Sequence, residues 1–165
     1  MLFRSAVSDA GELNSHGVDK IEFMVATNPG EPLMPMSDIA SGGEMARIML
    51  AIKSVLNEKD GVSCSVYDEI DTGISGKTSR KIGVKLHSIA RDGQVICVTH
   101  SAQIATLADH HFLISKKEIE GRAHTSIKAL SYEERVEEAA RILGGISITE
   151  AQRQAARDML DNKNE

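Results

Sequence analysis

Apolar residues recur with two different periods along this chain, and the changes of period outline its elements. Ile21, Phe23 and Val25 alternate with polar neighbours, which predicts a strand over about Lys20–Ala26. A loop bearing Pro and Met residues runs on to Ile39. Met45, Ile48, Met49, Ile52, Val55 and Leu56 then recur at helical spacing as far as Asn57. Val62–Tyr67 and Gln94–Val98 are short runs of small, apolar and β-branched residues, and both read as buried strands. Between them the spacing predicts a helix over about Gly76–Ala90, and after them a short helix over Ala102–Ala108. Phe112–Lys116 and His124–Leu130 read as the arms of a hairpin joined through Glu120-Gly121. Ser131-x-x-Glu134 is a capping box that opens a helix over Glu133–Leu143, and Gly144-Gly145 stop it. Thr149 starts a last helix through Leu160, followed by a polar tail, Asp161–Glu165. No internal repeat is present. Strands alternating with helices predict an α/β domain.

Composition adds bounds. The 165 residues, 41% hydrophobic and 26% charged, suit one domain with a real core. A net charge of −5 argues against a dedicated nucleic-acid surface on this chain, because phosphate binding needs clustered cations. One local exception exists. Lys77, Arg80, Lys81 and Lys85 share a face of the Gly76–Ala90 helix, as a solvated face or as a contact to DNA or a partner head. Cys64 and Cys97 both fall within buried-strand patterns and read as reduced core thiols of a cytoplasmic protein. No zinc-ligand spacing occurs, and Asp109-His110-His111 reads as a loop-to-strand junction. There is no signal peptide and no long apolar span, so no membrane is implied.

Three polar runs sit where chemistry collects. Ala40-Ser41-Gly42-Gly43-Glu44 opens the first helix. Ser41 can cap it, and bare glycine amides at the positive helix end suit a phosphate oxygen. A glycine turn before an ordinary amphipathic helix is the plain alternative. Val66-Tyr67 lead straight into Asp68-Glu69, and Val98 into Thr99-His100. Ligands of α/β folds gather beyond the carboxyl ends of strands. There a carboxylate such as Asp68 can hold Mg²⁺ and one such as Glu69 can polarise an attacking water. His100 can donate to a phosphate or a water. A solvated acidic pair and a structural histidine are the corresponding alternatives.

In this order and with these flanks, the runs resemble the RecN family of bacterial DNA-repair proteins, relatives of the SMC and ABC-type ATPases. Ser41-Gly42-Gly43-Glu44 matches the ABC signature motif, and Val66-Tyr67-Asp68-Glu69 matches Walker B. Asp71-Thr72-Gly73 falls at the D-loop, and His100 matches the switch histidine. Ala26-Thr27-Asn28-Pro29-Gly30-Glu31-Pro32 and Asp68–Gly76 separate RecN from other ABC relatives. The similarity runs from about Asp19 to Leu160. Met1–Ser15 match poorly, and Met1 is not expected to be the natural start.

The resemblance implies the C-terminal half of an ABC/SMC-type P-loop ATPase head, as one domain over residues 1–165: a mainly parallel sheet flanked by helices, lacking the Walker A strand. It implies ATP and Mg²⁺ as cofactors, sandwiched between two heads of a homodimer, with Walker A of one head facing Ser41, Gly42 and Gly43 of the other. Glu69 and His100 are then catalytic, Asp68 holds the metal, and Ser41, Gly42, Gly43, Glu44 and Asp71 contact the nucleotide. The process implied is cytoplasmic DNA double-strand-break repair and recombination, with DNA bound through the intact protein. Turnover needs the intact protein, and the isolated chain is expected to be inactive.

Departures from the family pattern sharpen these expectations. The phosphate loop G-x-x-x-x-G-K-[ST] is missing: Gly76-Lys77-Thr78 follows Walker B and has Asp71 where the first glycine belongs. The family's glutamine loop and coiled-coil arms are absent. A head-binding module without hydrolysis of its own remains an alternative. A Ser75/Asp68/His100 hydrolase is a weaker one, since Gly73-Ile74-Ser75-Gly76 fails the nucleophile-elbow spacing. The resemblance also implies that the Walker B and switch strands pair in parallel and that the switch strand lacks its other neighbour. An open apolar edge recruits strands, so either the Phe112–Ser115 strand or a second copy is expected to close it.

Overall fold

The structure is a computed structural model that describes residues 2–15, 17–26, 28–39, 41–56, 61–119, 121–145 and 147–163. Met1, Thr27, Ala40, Asn57, Glu120, Asn164 and Glu165, to which sequence expectations attached, lie outside the described residues. The elements run β1 Leu2–Asn14, β2 Gly17–Ala26, β3 Met34–Pro35, α1 Gly42–Leu56, β4 Cys64–Asp68, α2 Gly76–Ile89, β5 Gln94–Val98, α3 Ala102–Ala105, β6 Phe112–Ile119, β7 Arg122–Ala129, α4 Tyr132–Gly144 and α5 Glu150–Asp161. A single 3₁₀ turn, Met36–Asp38, precedes α1.

Three sheets share the strands. β4 and β5 pair in parallel, Cys64 opposite Gln94 through Asp68 opposite Val98. This is the pairing expected of the two motif strands, and it forces both chains to leave the sheet at one edge. The other sheets are antiparallel: β1-β2-β3 and the hairpin β6-β7. The sheet content is therefore mixed, with parallel pairing confined to the strands that carry the motifs.

One core lies between this parallel pair and the helices. Leu50 of α1, Tyr67 of β4, Ile82, Leu86 and Ile89 of α2 and Ile104 of α3 close around Ile70, which is completely buried. Val95 and Cys97 of β5 pack against the same cluster. A second core joins α3, α4 and α5 through Ala102, Val136, Ala139, Ala140, Ala156 and Leu160. Small residues there let α4 and α5 approach closely. Both helices start in reciprocal caps: the Glu134 N–H donates to Ser131 Oγ while the Ser131 N–H donates to Glu134 Oε2, and Thr149 and Gln152 repeat the arrangement.

The outer face of the parallel pair is bare. Val66, Ile96 and Val98 are 65%, 46% and 42% exposed, whereas Tyr67 on the inner face is buried. This corrects one expectation: Cys64 is exposed and is not a core thiol, while Cys97 is half-buried. Alternation in a short strand puts neighbours on opposite faces, and only one face is covered here.

A second correction concerns the open edge. The Phe112–Ser115 strand does not move beside β5; it stays paired with β7 along the whole hairpin. The Arg135 guanidinium holds the hairpin's entry at α4, donating to the Ala108, Asp109 and Thr106 carbonyls at 2.6, 3.3 and 3.5 Å. Lys128 pairs with Glu134 at its exit, holding that carboxyl down at about 2 together with the Ser131 N–H. Crossing to β5 would break these ties. A third difference is β1. The strand expected over Lys20–Ala26 begins at Gly17 and is the second arm of a long hairpin whose first arm is Leu2–Asn14.

Candidate functional site

The parallel pair delivers two loops to one edge. Asp68 is the last residue of β4 and stands opposite Val98, the last of β5. Asp68, Glu69 and His100 are all exposed. Among the described residues, neither carboxylate nor the imidazole makes a hydrogen bond or an ion pair, so all three are free to engage a ligand.

Glu69 holds an unusual backbone. Its φ of 55° makes it the sole described non-glycine residue in the left-handed region. That region is disfavoured for side chains with a Cβ and persists where surrounding contacts impose it. Three contacts do so here. Ile70 is locked in the core. The Glu69 carbonyl accepts from the Thr72 N–H at 3.0 Å. On the other side, Arg47 of α1 donates from one guanidinium nitrogen to the Ile70 and Thr72 carbonyls at 3.1 and 3.0 Å.

The start of α1 packs on this same loop. A methyl group at Gly43 would stand 3.0 Å from the Glu69 carbonyl oxygen, tighter than an ordinary contact, so the glycine eases the approach. Gly42, by contrast, faces open space. Ser41 supplies the carbonyl that accepts from the Met45 N–H at 3.0 Å, opening the helix. Its hydroxyl bonds nothing among the described residues, so the side-chain cap expected of Ser41 is not formed. Glu44 lies half-buried in the first turn, where a carboxylate favours the positive helix end.

Asp71 faces the β5 loop. Its Oδ2 accepts from Thr99 Oγ1 at 2.8 Å and from the His100 N–H at 3.0 Å. Burial first, then the Asp71 and Asp68 charges, push the Cys97 thiol up to about 12. The edge thus brings Asp68, Glu69, Asp71 and His100 together, with Gly43 directly behind Glu69. Arg47 and Thr99 carry parts of this site that sequence reasoning assigned no role. Nothing in the local sequence pattern marks Arg47, which acts across 23 and 25 positions.

Other candidates fare differently. Lys77, Arg80 and Lys81 line an open cleft between α2 and α5, where Arg80 donates to the Asn162 carbonyl at 2.6 Å. The Ser75 hydroxyl bonds Thr78 Oγ1 and, among the described residues, makes no hydrogen bond to Asp68 or His100. Asp109-His110-His111 lead directly into β6, which begins at Phe112. No described helix is long and apolar enough to cross a membrane.

No protein-family model matches the chain. Individual relatives do. The DNA repair protein RecN of Halalkalibacterium halodurans is 43% identical over 159 residues, covering 96% of this chain and 28% of the relative. RecN of Bacillus subtilis is 40% identical over 149 residues, covering 90% and 26%. RecN of Vibrio cholerae is 38% identical over 152 residues, covering 92% and 27%. The chain therefore spans about a quarter of the length of these relatives. Among solved structures, one described under ATP-driven dimerization and DNA-stimulated activation of SMC ATPases superposes with a TM-score of 0.53 at 19% identity, covering 88% of this chain and 83% of that one. The Smc head domain of Pyrococcus yayanosii gives 0.54 at 20% identity, covering 83% and 25%. The chain is a homologue of the RecN DNA-repair proteins over nearly its whole length, and it carries the α/β fold of an SMC-type ATPase head.

Proposed function

We propose that this chain serves an ATP-hydrolysing head in DNA double-strand-break repair, and that it contributes to two nucleotide sites at once. The supporting observation is the shared edge of β4 and β5, where Asp68, Glu69 and His100 stand exposed and unengaged. To one nucleotide the chain offers this edge. To a nucleotide held by a second copy it offers the Ser41–Gly43 helix end, with its unengaged hydroxyl and the exposed Gly42. The sequence contains no phosphate loop, so the loop that cradles the phosphates has to come from outside these residues.

The residues fit the group they would hold. Asp68 is a single exposed hard-oxygen donor, and Mg²⁺ in nucleotide sites takes one or two carboxylates and completes its shell from phosphates and water. When bound, Mg-ATP supplies the transferable phosphoryl group and a cation that offsets its charge. Glu69 orients or deprotonates the attacking water, and His100 donates to the terminal phosphate. Partners are a second head and DNA, and the setting is the cytoplasm. The missing G-x-x-x-x-G-K-[ST] also favours a second reading, a head-binding module without turnover of its own.

Ser41→Arg in the full-length protein tests the shared site. A bulky cation at the helix end leaves ATP bound to each head and blocks closure. Expected are near-normal nucleotide affinity by calorimetry, no ATP-dependent pairing by analytical ultracentrifugation, and turnover reduced at least about a hundredfold, the size lost with one preorganised donor. Pairing and turnover at the unsubstituted level would refute the assignment of Ser41.

A further inference from the structure

The half-buried Asp71 carboxylate is already committed within the chain. Oδ2 takes the Thr99 hydroxyl and the His100 N–H, from residues 28 and 29 positions further on. The Thr99 oxygen in turn accepts from the Ser101 N–H at 3.0 Å. One carboxylate oxygen therefore fixes three consecutive residues of the turn that ends β5 and starts α3. Bonds to an ionised acceptor are the stronger kind, and partial burial protects them from water.

Asp71 is itself clamped. Ile70 before it is fully buried, and Arg47 binds the carbonyls of Ile70 and Thr72 on either side of it. The chain of contacts runs from α1 through Arg47 to the loop after Glu69, and from Asp71 to the turn that carries His100. The His100 imidazole is exposed and makes no bond among the described residues. Its place relative to Asp68 and Glu69 is set by its own backbone, and that backbone is set by Asp71. A direct contact between the Asp71 carboxylate and a phosphate would put like charges together and leave the Thr99–His100 turn without its acceptor.

We infer that Asp71 is the positioning residue for His100, acting through the Thr99 hydroxyl and the His100 N–H rather than touching nucleotide. This rests on the reading of His100 given above.

A double-mutant cycle in the full-length protein tests it, with steady-state Mg-ATP hydrolysis and proton–carbon NMR of the histidine ring as readouts. Asp71→Ala should lower kcat about tenfold or more with KM changed less than about threefold, the pattern of a group needed in the transition state rather than for ground-state binding. Asp71→Asn, which keeps an oxygen for the same donors, should recover part of that loss, and Thr99→Val should lose less than Asp71→Ala. In a His100→Ala background, Asp71→Ala should cost nothing further, because both changes remove one function. Losses that multiply in the double variant, or a raised KM at unchanged kcat, would overturn the inference. The NMR readout separates this from failure of the site itself. If His100→Ala alone turned over normally, the catalytic reading of His100 would fall. The latch would still require Asp71→Ala and Thr99→Val to shift the His100 ring signals, and unshifted signals would refute it independently.

Discussion

Replacing Glu69 with glycine should leave the chain more stable than replacing it with alanine, although both remove the same carboxylate. The reason is the φ of 55° at this residue. A left-handed conformation costs a residue with a Cβ about 1–2 kcal/mol, and alanine keeps that cost. Glycine escapes it but has a freer unfolded chain, which takes back about 0.5–1 kcal/mol. The balance favours glycine by roughly 0.7 kcal/mol, the midpoint of those ranges. At an ordinary position the sign reverses, and alanine leads by about 0.5–1 kcal/mol. For a chain of this size about 2–4 °C of Tm corresponds to 1 kcal/mol, so glycine should melt about 2 °C above alanine. Urea unfolding of the two variants, followed by circular dichroism, gives the same comparison at constant temperature. An alanine variant as stable as the glycine variant, or more so, would refute the claim that Ile70, Thr72 and Arg47 hold Glu69 in a strained backbone.

Two further outcomes follow from the same structure. The chain alone should show no Mg-ATP binding by calorimetric titration, since nothing in its sequence supplies the amides and lysine of a phosphate loop; a micromolar site would overturn the reading of Gly76-Lys77-Thr78. At pH 8 a thiol-specific disulfide reagent should label the exposed Cys64 first and Cys97 slowly, because a thiol held up at about 12 is thiolate in only about one molecule in ten thousand. Its reactivity should climb steadily as pH rises toward that value, and equal labelling rates at pH 8 would contradict the buried setting given to Cys97.

Helices and motif strands were legible from their apolar spacing, although burial follows it on one side only: Val55 of α1 and Val66, Ile96 and Val98 of the motif strands are exposed. α1, α2 and α5 begin and end within a few residues of the periodic runs, and the Ser131 box sits at the start of α4. β1 was not legible: all thirteen residues of Leu2–Asn14 are exposed, so no alternation is imposed, and ladder bonds to β2 leave no mark on composition. Cys64 was misread because a run of small and β-branched residues signals a strand without saying how many faces are covered. The site was legible in its chain order, which placed Asp68-Glu69 and His100 at the ends of two strands. Its internal wiring was not. The strain at Glu69, the Arg47 clamp and the Asp71 latch come from tertiary contacts between residues 23 to 29 positions apart, and no local pattern encodes them.

The central claim is that Glu69 acts on water at the shared edge while Ser41–Gly43 serve the nucleotide of a second head. Glu69→Gln in the full-length protein separates these roles, since it preserves the side chain's shape and removes its charge. Phosphate release and ATP-dependent head pairing, measured on the same sample, decide it. Turnover should fall at least about a hundredfold, as expected for losing a general base, with pairing retained or prolonged. Unreduced turnover would contradict it, and so would loss of pairing together with turnover.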